Sequence, residues 1–498
     1  MQITPSSEII LLKGVPLDNT YQNTLYFTNV DAQYGYFSGK KAHTLNKLQY
    51  QRVTSKKCRV SLGSHLCYNC NYMMFKNTGH LNKWFYAFIT SVEYVSETAC
   101  EITYEIDVMQ TWFFDYSVKE CFVEREHSVT DTVGGNIVAE PVELGQIIMH
   151  DCAKTQYFSS YVAVVATAYD SDGTVGGYVT GLFTGVNYVA GLIDNSEQVN
   201  NILNYLKATV DAHKEDSVIS IFLMPTAFYS KESAPVVQAT KVAKPTNIGG
   251  YTPKNKKLLT YPYCYLGVDS GNSSAVYRYE YFSESTCDFS LLGCVSCNPQ
   301  IACVPSNYLG QSLCYTEKIV MTGFPQVAWS IDTYRAWLAQ SSSTHFINGL
   351  GSAVSVAGGM ITGNLIGASM GAVGLANNIN GYTLAANRPP QAVGNSDGDI
   401  MVATRNKNFW FKRMGVTRNY AEIIDDYFTK YGYATNLVKV PNRSSRPHWN
   451  YVKTNGCCIV GNVPADDSKK IIGIYDRGVT FWKNGNNVGN YSLNNAPS

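Results

Sequence analysis

The chain has 498 residues, of which 15% are charged and 13% aromatic, with 36 tyrosines and a formal net charge of +1. A typical globular protein carries about 25% charged residues, so this chain is charge-poor. A hydrophobic fraction of 45% excludes a disordered chain, near-neutral charge argues against a freestanding nucleic-acid binder, and 14 cysteines are too sparse for a disulfide scaffold. An aromatic-rich, charge-poor surface needs a cover, which points to a subunit of a larger assembly.

In chain order, Met1 to Lys13 lacks a basic start, a long apolar core and a small-residue cleavage site, so no secretory signal is expected. The cysteines are then expected to be mostly buried small hydrophobes in a protein made in a reducing cytoplasm. Residues 1–145 read as β-structure. In Cys100 to Val108, Cys100, Ile102, Tyr104, Ile106 and Val108 share one face, and Glu101, Thr103, Glu105 and Asp107 share the other. That alternation marks a half-buried strand, and the β-forming run Phe85 to Val95 before it completes a hairpin turning at Ser96–Thr98. The acidic face reads as a solvated face or as an anionic lumen lining. Phe122 to His127 reads as a strand with Glu124 and Glu126 on one side and His127 on the other, a structural set rather than an acid–base set.

Residues 146–325 read as mixed and mainly β. Turns are expected at Asp170–Gly173 and Gly176–Gly177, and a helix from Ser196 to Val210 with Ile202, Leu203, Leu206 and Val210 on its apolar stripe. Tyr261 to Val268 and Val276 to Phe282 read as strands. Residues 326–400 carry a segment of another kind, spanning about 340–390. Residues 401–498 read as a β-rich unit with one helix, on which Ile423, Ile424, Tyr427, Phe428 and Tyr431 recur before Gly432. Ile471 to Asp476 and Val479 to Trp482 read as closing strands, and the tail from Asn494 as frayed.

The segment of another kind is residues 336–387, which contain no Asp, Glu, Lys or Arg in 52 positions. Inside it Gly359, Gly363, Gly367 and Gly371 recur every fourth residue, so on a helix they form one small-residue face that lets backbones pack closely. Val354, Val356, Met360, Ile361, Leu365, Ile366, Met370 and Val373 supply an apolar surface suited to lipid. Residues 353–376 would make a helix of about 36 Å, enough for a hydrocarbon core of about 30 Å. An unusual buried packing element and a linker are the competing readings. Glycine costs about 1 kcal/mol per residue in a soluble helix, and the apolar content is high for a free linker. The flanking Arg335, Arg388, Arg405 and Lys407 read as solvated charges or as markers of a headgroup boundary.

Cys67-x-x-Cys70, with His65 close by, and Cys294-x-x-Cys297 are too far apart in sequence for a zinc ribbon. Cys287, Cys294, Cys297, Cys303 and Cys314 are the cysteines most suited to a metal or a late disulfide. Asp170–Gly173 lacks the later glutamate of a calcium loop. No metalloprotease, P-loop or nucleophile-elbow motif occurs, so no catalytic residue, metal or cofactor is assigned.

The run Glu105-Ile106-Asp107-Val108-Met109-Gln110-Thr111-Trp112, then Phe122-Val123-Glu124-Arg125-Glu126-His127, Asp131, Gly134, Asn136, Glu140-Pro141 and Leu144-Gly145, resembles the distal tail knob proteins of small short-tailed phages with protein-primed linear genomes, the Salasviridae type. Asp107, Met109, Gln110, Thr111, Trp112, Glu124 and Arg125 are its structural motif positions. The resemblance implies a mainly β (α+β) fold of tube-forming domains related to phage tail-tube folds. It implies a homohexamer at the tail tip, attached to a tail or lower collar protein of the same virion. Six apolar loops would plug the lumen, then enter the host cytoplasmic membrane as a channel for phage DNA, held without sequence specificity. The chain would be made in the host cytoplasm and reside in the virion. A receptor-binding or cell-wall-degrading tail-tip component is the alternative, since tyrosine and tryptophan also suit carbohydrate stacking.

Overall fold

The alternating segment forms a strand, Ala99–Ile106, paired antiparallel with Trp84–Ser96 through the two-residue turn Glu97–Thr98. Cys100, Ile102 and Tyr104 are buried, as the pattern requires. This hairpin belongs to a computed structural model that describes residues 7–48, 52–54, 56–77, 83–169, 175–179, 182–192, 195–230, 236–293, 295, 299–324, 326–328 and 407–497. The expected turn at Asp170–Gly173, Cys294, Cys297, Arg335, Arg388 and Arg405 lie outside the described residues. So does the whole charge-free block, with every apolar and glycine position assigned to it.

Two compact units are distinguished: residues 1–145, 250–258 and 418–498, and residues 146–249 and 259–417. In the first, the hairpin lies inside a seven-stranded antiparallel sheet ordered Lys41–Leu48, Ser7–Leu12, Tyr72–Asn77, Trp84–Ser96, Ala99–Ile106, Lys57–Val60, Arg52–Thr54. Side chains alternate faces along a strand, and here both faces are covered. Ile9, Leu11, Met73 and Ala87 enter one apolar cluster, and Ile10, Leu12, Tyr72, Met74, Tyr86 and Phe88 enter another.

The second cluster is completed by the far end of the chain, through Trp449, Ile471, Tyr475, Phe481 and Trp482. A five-stranded sheet ordered Asn23–Leu25, Val479–Trp482, Trp449–Asn455, Cys121–Glu126, Tyr433–Lys439 joins strands from residues 1–145 to strands from 401–498. Its pairing of Asn23–Leu25 with Val479–Trp482 is parallel.

Ala465–Arg477 is a helix, which corrects the strand read at Ile471–Asp476. The β-forming run misleads there. Its buried members, Ile471, Ile474 and Tyr475, fall at helical spacing, with Asp466 and Asp467 in the first turn and Arg477 in the last, favourable to the helix dipole. Gly478, at φ 98°, ends it. The helix Arg418–Tyr431 forms as expected, but Ile423 faces outward, and the buried face is Ala421, Ile424, Asp425, Phe428 and Thr429. The tail does not fray at Asn495. Its side chain accepts from the main-chain N–H groups of His448 (3.1 Å) and Trp449 (3.2 Å) and donates to the Trp449 carbonyl (2.9 Å).

In the second unit, helix Ser196–Asp211 sets Ile202 and Leu206 against Tyr161, Ala163, Val165 and Leu223. The side chains of Leu203 and Val210 lie outside the described set. The sheet beneath is ordered Val175–Val179, Leu182–Leu192, Tyr161–Thr167, Val218–Pro225, Gln326–Ala328. Gly176 and Gly177, read as a turn, lie within its first strand at a register shift between Gly176 and Tyr178. A four-stranded sheet, Ile147–Lys154, Trp410–Val416, Cys264–Asp269, Ser274–Tyr277, takes a strand from beyond the charge-free block. The run Val276 to Phe282 leaves the strand after Tyr277 for a single 3₁₀ turn at Tyr279–Tyr281.

Candidate functional site

The resemblance motif begins where the hairpin strand stops. Asp107 does not continue the polar face of the strand; it turns inward and caps the short helix Val108–Thr111, accepting from the Gln110 N–H at 3.1 Å. The Tyr72 hydroxyl donates to its other oxygen at 2.8 Å. Burial raises the Asp107 carboxyl to about 6, against the lowering effect of these hydrogen bonds.

Each following motif residue holds a different element. Met109 is fully buried in the core. Gln110 Nε2 donates to the Thr24 hydroxyl and the Leu25 carbonyl, both at 2.9 Å, while Gln33 Nε2 donates to the Gln110 side-chain oxygen at 3.0 Å. The Thr111 hydroxyl accepts from Tyr86 N–H and donates to Tyr86 C=O, at 3.0 and 3.1 Å. Trp112 Nε1 donates to Asp467 at 2.9 Å, and Lys83 Nζ lies 3.8 Å from the centre of a Trp112 ring. The motif is therefore a junction that ties residues 24–33 and the helix Ala465–Arg477 to the central hairpin.

A bulge between Val123 and Arg125 breaks the alternation expected of the next strand. Glu124 meets Lys453 at 2.5 Å, whereas Glu126 turns inward, pairs with Lys439 and accepts from Asn442 N–H at 2.8 Å. Arg125 is buried, donates to the Gly432 carbonyl at 2.7 Å and pairs with Glu140, another quoted motif residue. Glu140 also receives Lys257 Nζ at 2.5 Å and the Ala434 N–H at 2.7 Å. A buried carboxylate with this many donors is compensated, so the cluster fixes structure and leaves no free base.

His127, expected to point away from that set, is buried with both ring nitrogens engaged. Nε2 donates to the Thr429 carbonyl at 3.0 Å and Nδ1 accepts from Tyr451 N–H at 2.8 Å, which defines a neutral imidazole. Burial, with Arg446 and Arg125 nearby, pushes its pKa down to about 3. The acidic face of the hairpin is also committed: Glu101 meets Lys57 at 3.1 Å and Arg59 at 3.6 Å, and Glu105 meets Lys470 at 3.5 Å.

Lys407 and the residues that hold it lie in the second unit. Lys407 is 3% exposed, so it is not a solvated charge. Its Nζ donates to the carbonyls of Thr322 (2.6 Å) and Gly323 (2.7 Å) and lies 4.7 Å from the Phe324 ring centre. Asn408 Nδ2 donates to the Thr155 carbonyl at 2.9 Å, and Thr155 N–H donates to Phe409 C=O at 3.2 Å. Residues before and after the block thus meet at one fixed point. No sequence pattern marks Lys407 for this role, because its acceptors are main-chain carbonyls 85 and 84 residues away.

Ten of the twelve described cysteines are buried, including Cys287, Cys303 and Cys314. Among the described residues no group of three metal-ligating side chains converges, and no helix is long and apolar enough to cross a membrane.

A family model described as Bacillus phage phi29, tail knob protein gp9, C-terminal domain, matches residues 229–496, and one described as Caudoviral major tail protein N-terminus matches residues 5–117. The tail knob protein gp9 of Bacillus phage B103 is 26% identical to this chain, and that of Bacillus phage phi29 25% identical. Each comparison covers 98% of this chain and 98% of the relative. The solved structure of the bacteriophage C1 tail knob protein, gp12, matches with a TM-score of 0.65 at 14% identity, over 98% of this chain and 99% of that one, a likeness of fold.

Proposed function

The chain belongs to the family of the phi29 tail knob protein gp9, structural proteins of the phage tail, and on that premise we propose that it forms a hexameric tube at the distal tip of a short tail. Its apolar segments plug the lumen and then enter the host cytoplasmic membrane as a channel for the genome. The observation that carries this reading is the 52-residue stretch without a charged side chain. A charged residue at the centre of a membrane helix costs about 2.5–3.5 kcal/mol by insertion scales, and here that cost is absent.

Six such segments in a lumen shield one another from water. In lipid the backbone must bond to itself, so the inserted form is helical, with Gly359, Gly363, Gly367 and Gly371 on the packing face. The clamp at Lys407 supports the reading, because it lets the block leave its resting place without unravelling the sheets on either side. Near-zero net charge suits a conduit that DNA slides through. A collar protein of the tail, the host membrane and the passing DNA are the further partners. No catalytic role is assigned, since Glu124, Glu126 and His127 are each tied to structural partners.

Deletion of residues 350–380 tests the proposal. A six-fold ring in electron micrographs with loss of liposome leakage is the expected result. Leakage that persists in the deletion variant, or a stable monomer from the intact chain, overturns it.

A further inference from the structure

Cys58, Cys67, Cys70 and Cys100 lie in the apolar cluster on one face of the seven-stranded sheet. Cys100 sits on the strand Ala99–Ile106, in register with Val60 on one side and Tyr94 on the other. Cys67 ends the helical turn Ser64–Cys67, which packs against the hairpin strand Trp84–Ser96. The two sulfurs are 3.5 Å apart, and both residues are 0% exposed. Cys70 Sγ is directed instead at the Leu66 carbonyl, at 3.9 Å. A disulfide needs about 2.05 Å between sulfurs, so the two sulfurs, already in contact, have about 1.5 Å left to close.

We propose that Cys67 and Cys100 become a disulfide after the protein leaves the reducing cytoplasm, locking the Ser64–Cys67 turn onto the central hairpin. The timing rests on the tail-component reading; the bond itself does not. The oxidant is a small hydroperoxide, the class that suits a pair sealed from bulky thiol reagents. One thiolate attacks a peroxide oxygen, the O–O bond breaks, and hydroxide leaves and is protonated to water, giving a sulfenic acid. The second sulfur then attacks the sulfenyl sulfur, the S–O bond breaks, and a second water leaves. Two thiols and one hydrogen peroxide become one disulfide and two waters, and the two sulfurs together lose two electrons.

Burial raises both thiols, Cys67 to about 12, so thiolate is scarce in the closed state. The reaction is therefore slow and proceeds when the turn opens. That kinetics suits a bond made once in a long-lived particle rather than a rapid switch.

The test treats the purified full chain with hydrogen peroxide, removes the peroxide, unfolds the chain in denaturant to trap remaining thiols with N-ethylmaleimide, and digests with trypsin without reduction. The expected product joins peptide Val60–Lys76 to peptide Trp84–Lys119. The Cys67→Ser and Cys100→Ser variants lose the link, and Cys70→Ser keeps it. A link that survives Cys67→Ser, full alkylation of Cys67 and Cys100 after peroxide, or one zinc ion per chain in native mass spectra overturns the proposal. A second arm traps thiols in infected-cell lysate and in released phage particles, with at least a tenfold higher linked fraction expected in the particles. Free thiols in the particle overturn the proposal. Absence of the chain from the particle overturns the tail reading instead and leaves the peroxide result to judge the bond.

Discussion

Replacing His127 with glutamine tests the buried network at the centre of the first unit. In the folded chain His127 stays neutral down to about pH 3. An unfolded histidine takes up a proton near pH 6.5. Its folded pKa is depressed, so the stability it contributes is present above pH 6.5 and is lost as pH falls toward 3. Between pH 7 and 4.5 that loss is about 2.5 kcal/mol. The figure is set by the unfolded value, because pH 4.5 still lies above the folded one. Asp107 works in the opposite direction. Its folded pKa of about 6 exceeds the ordinary carboxylate value, so the folded state binds a proton first and gains stability as pH falls from about 6 to 4. The variant retains Asp107, so the difference between the two proteins isolates His127. Urea unfolding followed by tryptophan fluorescence suits the measurement, because Trp449 Nε1 donates to the same Thr429 carbonyl as His127, at 3.2 Å. His127→Gln is expected to be less stable at pH 7 but to lose about 2.5 kcal/mol less than the parent on going to pH 4.5. Equal losses in the two proteins would refute the assignment of a neutral, doubly bonded imidazole.

Lys407→Met removes the donor shared by the Thr322 and Gly323 carbonyls, at a cost of about 1–3 kcal/mol for buried acceptors left unpaired. Hydrogen exchange should rise about tenfold or more at amides of 320–324 and 408–410, while the strand Tyr161–Thr167 keeps its protection. Asn495→Ala breaks three hydrogen bonds to His448 and Trp449, so carboxypeptidase should trim past residue 495 in the variant and stop before it in the parent. Gly432 has φ +66° and lies against the Glu126 main chain, so Gly432→Ala should lower stability by about 2 kcal/mol or more in urea titrations.

Local pattern made several elements legible. The alternation through Ile106 announced the hairpin, because on this strand Cys100, Ile102 and Tyr104 enter an apolar cluster while Glu101 and Glu105 meet charged partners. The spacing of Ile424 and Phe428 announced a helix, and Gly432 its end. The Ile471–Asp476 run was misread because β-forming residues are not proof of a strand, and only the facing core selects between periods of two and of about 3.6. Asp107 was misread because strand alternation does not reveal where a strand stops. Its role as a cap depends on Tyr72 and Gln110 being in place.

The sequence by itself determined the features that depend on neighbours in the chain: low charge, an uncharged block with glycine at every fourth position, and the periods of the strand Ala99–Ile106 and the helix Arg418–Tyr431. The tertiary structure alone decided which distant segments meet. It put Asn23–Leu25 beside Val479–Trp482 in one sheet, set Arg125 and Lys257 on Glu140, and turned Lys407 from a flanking charge into a clamp on the Thr322 and Gly323 carbonyls. The physical reason is that these pairings use main-chain acceptors and buried side chains brought together by packing of the whole core, and no local period encodes such a partner.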